Sequence, residues 1–175
     1  DTRYTSFLDI SDLFLKLDDE DTNLFKNLDS KRQTDIKRAK EDATNFIESK
    51  DVDTFIHLYS ALLESQYVSI NNKNLDKMRN LINALLDLGY AKMFFTMNSS
   101  NLVTYAVVFS YINNNGCYLY GAGDRDNMRR HDATYCIWKT FKSLSEMGVH
   151  TVDLEGVNSP TRGQFKLGFG GSLKS

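Results

Sequence analysis

The chain has 175 residues, 41% of them hydrophobic, which suits one well-packed domain and falls short of what two independent cores usually need. No run approaches the roughly 20 apolar residues of a membrane helix, and the opening DTRYTSFLDI lacks the charged-then-apolar layout of a secretory signal, so a cytoplasmic protein without stable membrane insertion is expected. A net charge of −2 excludes a dedicated nucleic-acid binder, yet residues 1–30 hold eight acids and three bases, leaving fifteen acids and eighteen bases (net +3) for a local phosphate-binding patch.

In chain order, Thr2 to Ile10 is rich in β-branched and aromatic residues and predicts a strand, with Ser11 and Asp12 as caps for a helix over DLFLKL. Thr22 to Glu41 predicts one amphipathic helix, in which Leu24, Phe25, Leu28, Ile36 and Ala39 face inward and the run SKRQTDIKRAKED forms a basic outer face. A short strand at Ala43 to Ile47 follows. Asp51 caps a helix running to about Tyr67, and Leu75 to Leu88 forms another that Gly89 stops.

The texture then changes. YAKMFFTM, LVTYAVVFSYI and GCYLYGAG, separated by SSN and NNNG turns, predict three consecutive antiparallel strands. After the loop DRDNMRRHD, Ala133 to Met147 predicts a helix ended by Gly148, and HTVDLEG a strand. Strand, helix, strand is a crossover unit, which places HTVDLEG parallel to GCYLYGAG. The whole is a mixed α/β sheet, an antiparallel meander followed by one parallel crossover, with helices on both faces. Residues 1–20 read as strand and linker leading into a core of 21–175.

Cys117 and Cys136 form no CxxC pair and read as small hydrophobes, and His57, His131 and His150 are too scattered for a zinc site, so no metal is expected.

Four segments carry a family resemblance. SKRQTDIKRAKED places Lys31, Arg32, Lys37, Arg38 and Lys40 ahead of and within an Ile-x-x-Ala helix at Ile36 and Ala39. The stretch from Tyr105 to Gly156 runs strand, strand, loop, helix, Gly, strand and ends in an Asp-x-x-Gly sequence. RGQFKLGFGG holds Phe165, Lys166, Phe169, Gly170 and Gly171 in a Phe-Lys-x-x-Phe-Gly-Gly pattern, and RYTSFLDIS resembles the strand that precedes the basic helix. Together these resemble the FemAB-type branch of the GNAT acyltransferase superfamily, whose members join an activated acyl or aminoacyl group to an amine. Full-length FemAB enzymes are similar to two such domains in tandem, and this chain matches about one, so a fragment of a longer two-domain chain or a minimal member is expected.

The resemblance implies an N-acyltransferase of cell-envelope or polysaccharide metabolism, with acyl-CoA or aminoacyl-tRNA as donor and a small-molecule or cell-wall-precursor amine as acceptor. It further implies that two neighbouring parallel strands, Gly116 to Gly121 and Thr151 to Leu154, splay apart so that backbone groups in the gap hold the acyl arm. Gly121, Gly123, Arg129, Arg130 and His131, at the loop and helix start after the first of these strands, would take the donor phosphates. The usual acetyl-CoA signature is absent in that form, and GAGDRDNMRR is a loose substitute for it. Asp153 and Glu155, two apart on a strand and so on one face, are the candidate proton acceptors, with a hydrogen bond to backbone at the strand end as the alternative for Asp153. Lys166 is placed to stabilise a phosphate or oxyanion. Arg162 and Asn158 would contact substrate, and Lys37 and Arg38 would contact tRNA or an anionic acceptor, a solvated helix face being the alternative for the basic run. A noncatalytic domain that keeps the fold for binding or assembly remains the second reading.

Overall fold

The structure, a computed structural model, describes residues 4–14, 16, 19–69, 71–157 and 160–174, with the backbone alone for 160–162. Seven strands form one sheet in the order β2-β3-β4-β5-β6-β1-β7. They are β1 (Thr5–Asp9), β2 (Asn45–Glu48), β3 (Ala91–Met97), β4 (Val103–Ile112), β5 (Asn115–Gly123), β6 (Thr151–Asp153) and β7 (Ser172–Lys174). Every pairing is antiparallel except that of β5 with β6. The helices are α1 (Asn23–Asn27), α2 (Ser30–Glu41), α3 (Val52–Ser65), α4 (Asn72–Asp87), α5 (Asp132–Glu146) and α6 (Pro160–Leu167).

Strand alternation sorts the core into two layers, one on each face of the sheet. Phe94, Tyr105, Val107 and Phe109 point to the face covered by α1, α2 and α5, where Trp138 and Phe141 are fully buried. Ala91, Met93, Phe95, Ala106 and Val108 point to the opposite face, against Phe55 of α3 and Ile82 of α4. Burial on both sides is why β4 reads as a near-continuous apolar run. Each fully buried aliphatic or aromatic side chain contributes about 1.5–3 kcal/mol.

Local chemistry sets the helix ends. Asp51 caps α3 by accepting from the Thr54 N–H at 3.0 Å, and Gly89 and Gly148 adopt φ of +74° and +88° where α4 and α5 stop. Pro160, the single proline, stands at the first turn of α6, where its missing N–H costs nothing.

Three expectations are corrected. The helix expected over Thr22 to Glu41 is two helices, because Leu28 turns extended and the Asp29 carboxylate accepts from the Arg32 N–H at 2.7 Å, starting α2 afresh. Of the helix expected over DLFLKL, the described residues show a 3-10 turn, Ser11–Leu13; Ser11 does not cap it, since the Asp9 carboxylate accepts from the Ser11 N–H and hydroxyl instead. The basic run is not wholly an outer face, for Arg32 turns inward and is 5% exposed. Beyond Gly156, where the sequence offers a motif but no element, the chain adds α6 and β7.

Arg32 ties three helices together. Its Nη1 donates to Thr134 Oγ1 of α5 at 2.5 Å and lies 3.4 Å from the buried Asp35 carboxylate, which also accepts from the Thr134 hydroxyl at 3.0 Å. Its guanidinium sits 4.4 Å from the centre of the Phe165 ring in α6. Removing one partner of a buried ion pair leaves an uncompensated charge. Arg32→Met is therefore expected to lower the unfolding free energy by about 3 kcal/mol in urea denaturation, and a loss below about 1 kcal/mol, the size of an exposed pair, would show that Asp35 does not depend on it.

Candidate active site

The parallel pairing of β5 with β6 covers Asn115↔Thr151, Gly116↔Val152 and Cys117↔Asp153, and stops there. Past that point each chain keeps its outer neighbour. β5 stays on β4 as far as Gly123↔Tyr105. The other side stays on β1, with the Leu154 N–H donating to Ser6 O at 2.9 Å and the Val157 N–H to Tyr4 O at 3.0 Å. The two segments part like a wedge, and among the described residues no strand lies beside Leu119–Gly123 on that side.

A cavity of about 620 Å³ opens at the wedge. Gly121, Gly123, Glu155 and Lys166 all line it, so four residues singled out from the sequence on separate grounds come together. Tyr59, Leu62 and Leu63 of α3, with Gln66 at its end, form one wall, and Tyr105, Tyr118 and Phe165 belong to the other. The glycines matter sterically. A Cβ on Gly121 would strike the hydroxyls of Tyr105 and Tyr118, and one on Gly123 the sulfur of Met128. Those two tyrosine hydroxyls lie 3.4 Å apart, and burial pushes the Tyr105 phenol well above its ordinary value. Lys166 Nζ stands 4.7 Å above the Tyr118 ring.

Asp153 and Glu155 do not share a strand face. β6 ends at Asp153, whose carboxylate accepts from the Thr5 hydroxyl and, at 2.7 Å, from the Glu155 N–H. Glu155 then takes φ +58°, which swings its side chain toward Cys117 and the cavity while Asp153 is outside the lining. The Cys117 thiol donates to Glu155 Oε1 at 3.4 Å.

The start of α5 is built differently from the phosphate site expected there. The Asp132 carboxylate, fully buried in its first turn, accepts from the Arg129 N–H at 2.8 Å and from Arg129 Nη2 at 3.0 Å. Arg129 also donates to Thr44 Oγ1 at 2.7 Å, and His131, 6% exposed, places Nε2 3.2 Å from Asp42 Oδ2. The positive end of the helix is thus answered by the protein's own carboxylates. Neither Arg129 nor His131 lines the cavity; nor does Arg130, which reaches solvent with Nε 4.0 Å from Asp35. Lys37 and Arg38 lie on α2, away from the cavity lining, with Lys37 paired to Glu20 at 3.8 Å. Asn158 and the side chain of Arg162 fall outside the described residues.

The reading from sequence passed over Arg125, which does line the cavity. The signal was local: Asp124 accepts from the Asp126 and Asn127 backbone N–H groups and the Asn127 amide, folding the loop into an Asx turn that displays Arg125. Those hydrogen bonds, led by the Asn127 side chain, hold the Asp124 carboxyl below its ordinary range. Among the described residues no three His, Cys, Asp or Glu side chains converge to hold a metal ion, and no helix is long and apolar enough to cross a membrane.

Solved structures similar to this chain include three that differ in how much of each chain is matched. FemX superposes with a TM-score of 0.81 at 16% identity, over 98% of this chain and 59% of FemX. The C-terminal domain of a provisionally named lysylphosphatidylglycerol synthetase from Agrobacterium fabrum gives 0.67 at 8% identity, over 98% and 57% of the two chains. A predicted acetyltransferase from Clostridium acetobutylicum, solved with acetyl-CoA, gives 0.55 at 11% identity over 70% and 88%. The chain shares the fold of these three structures. The chain spans less than two thirds of FemX and of the synthetase domain structure. No protein-family model and no curated protein matches the sequence.

Burial and the Glu155 carboxylate push the Cys117 thiol up to about 12, so it stays protonated at neutral pH and is no nucleophile there. Because the folded thiol keeps its proton longer than the unfolded one, its contribution to stability is complete below pH 9 and is lost between about 9 and 12. Alkylation of Cys117 by iodoacetamide at pH 8, followed by peptide mass spectrometry, is expected to run roughly a thousandfold slower than in the urea-unfolded chain. Equal rates would show that the thiol is not held in this environment.

Proposed function

We propose that this chain carries the transfer site of an N-acyltransferase, which moves an acyl or aminoacyl group from acyl-CoA or aminoacyl-tRNA to an amine of a cell-envelope or polysaccharide precursor. The observation that carries the reading is the wedge between β5 and β6, with Gly121, Glu155 and Lys166 converging on its cavity. The likeness in fold to FemX, to a lysylphosphatidylglycerol synthetase domain and to an acetyltransferase solved with acetyl-CoA supports it.

In this reading the amine nitrogen attacks the donor carbonyl carbon, a C–N bond forms, and the C–S or C–O bond to the donor breaks. Backbone groups of Leu119–Gly123 hold the acyl arm. Glu155 takes the proton released by the nitrogen, and the leaving sulfur or oxygen gains one from solvent. Lys166 opposes the negative charge that builds on the carbonyl oxygen. Arg125, with Arg130 farther along the loop, faces the donor phosphates, whereas Arg129 and His131 hold the loop to α2. Asp153 shapes the turn that aims Glu155. Asn158 and Arg162, close in sequence to that turn, and Lys37 and Arg38 on α2 remain candidates for holding the substrate. A cytoplasmic location goes with donors that are made there.

The test has two parts. An acyl-CoA thioester present at a hundred times its dissociation constant should raise the stability by about 2.7 kcal/mol in a thermal-shift assay. In a transfer assay with acyl-CoA and aminoacyl-tRNA donors, Glu155→Gln should lose about 10²–10⁴-fold in kcat with folding retained, and Lys166→Met about 10²–10³-fold. If the native chain transfers from neither donor, the site is that of a binding domain that keeps the fold.

A further inference from the structure

The cavity is chemically divided, and the division follows from an irregularity in the sheet. The register of β4 against β5 shifts between Val108, paired with Tyr120, and Phe109, paired with Tyr118, so Leu119 is an extra residue in β5. A strand alternates its side chains, but a bulge inserts a second residue on one face. Here Leu119 and Tyr120 both pack with the cluster under α3, while Tyr118 faces the opposite side. The Tyr120 ring stands edge-on to Tyr59 at 6.1 Å, and Tyr59 stacks on Phe55 at 5.9 Å, which makes that floor aromatic. Leu62 and Leu63 form the wall above it and remain partly exposed. The charged side chains Arg125, Glu155 and Lys166 come from the β5–α5 loop, the turn after β6 and α6, and none comes from α3.

From this we infer that one of the two substrates carries a large apolar group, an alkyl chain or an aromatic ring, which lies on the Tyr59–Leu63–Leu119–Tyr120 surface. The inference rests on the transferase reading and adds the substrate class to it. An acetyl group alone would leave that lining against water, whereas burial of apolar surface favours binding in proportion to area. The volume of about 620 Å³ falls among pockets that enclose drug-sized ligands, about 300–1,000 Å³.

Two series of probes locate the group on donor or acceptor. Calorimetric titration of the full chain with acyl-CoA thioesters from acetyl to decanoyl is one, and with n-alkylamines from ethyl to decyl is the other. Affinity should rise about three- to fourfold per methylene in one series until the cavity is full. Leu63→Trp should bring the plateau to a shorter chain, and Leu63→Gln should flatten the slope, with near-native melting curves for both variants. A rise among thioesters assigns the apolar group to the donor, and a rise among amines assigns it to the acceptor. Thioesters that bind equally at every length, with amines equally indifferent, would overturn this inference and leave the transferase reading standing. No binding in either series would also overturn it, and the transfer assay with aminoacyl-tRNA would then judge that reading separately.

Discussion

The site depends on an unequal pairing in the middle of the sheet. β6 is three residues long and bonds to β5 and β1 alike over that length, yet among the described residues the backbone that continues from it bonds across the sheet only on the β1 side. A buried peptide group has to find a partner, and Leu154 and Val157 find theirs in Ser6 and Tyr4. β5 meanwhile follows β4 for six further residues, to Gly123. Two antiparallel ladders, each satisfied on its outer side, therefore pull the parallel pair apart. The cavity is the space between them, and its backbone lining is a by-product of hydrogen bonds made elsewhere.

The Phe-Lys-x-x-Phe-Gly-Gly segment shows how one motif combines support and chemistry. Phe169 is fully buried and packs edge-on against Phe141 at 5.5 Å, while Phe165 carries the Arg32 guanidinium. Gly170 adopts φ +80° with Asn27 O where a Cβ would stand, and a Cβ on Gly171 would strike the Ser6 hydroxyl and crowd Phe7 O. The chain can therefore cross α1 and lay β7 along β1. Lys166 lies between these anchors and reaches the cavity because the residues on either side are held. Arg32, in turn, joins the motif to α2 and α5, so the basic run near the start of the chain and the closing motif meet where the guanidinium, paired with Asp35, lies over the Phe165 ring.

Much of the architecture was legible. β3, β4 and β5 are runs of aromatic and β-branched residues bounded by Asn and Gly turns, and α5 is a periodic segment ended by a glycine. The parallel crossover follows from strand, helix and strand at that spacing. Legibility failed where a single polar side chain outweighs a pattern. Asp29 restarts a helix within a stretch that reads as continuous, and Asp9 draws the Ser11 N–H and hydroxyl into a turn where Ser11 was expected to cap another. Gly121, Gly123, Glu155 and Lys166 were marked in the sequence and do line one cavity, but Arg125 was overlooked, because an exposed arginine in an acidic turn looks like solvated loop.

The sequence by itself determined most of the strands and helices as far as Gly156, the parallel orientation of β6 and the residue types available for chemistry, since all of these rest on periodicity, turn residues and short-range capping. Only the tertiary structure decided which charges are committed internally. Arg32, Arg129 and His131 look like surface side chains in a string of letters. Arg32 and Arg129 each have a carboxylate three residues away, Asp35 and Asp132, but the partners that turn all three inward, Thr134, Thr44 and Asp42, come from other parts of the chain. It also decided that Asp153 and Glu155 part company, because the positive φ of Glu155 ends the strand alternation on which a shared face depends. Pairing partners distant in sequence set both outcomes, and local pattern carries no record of them.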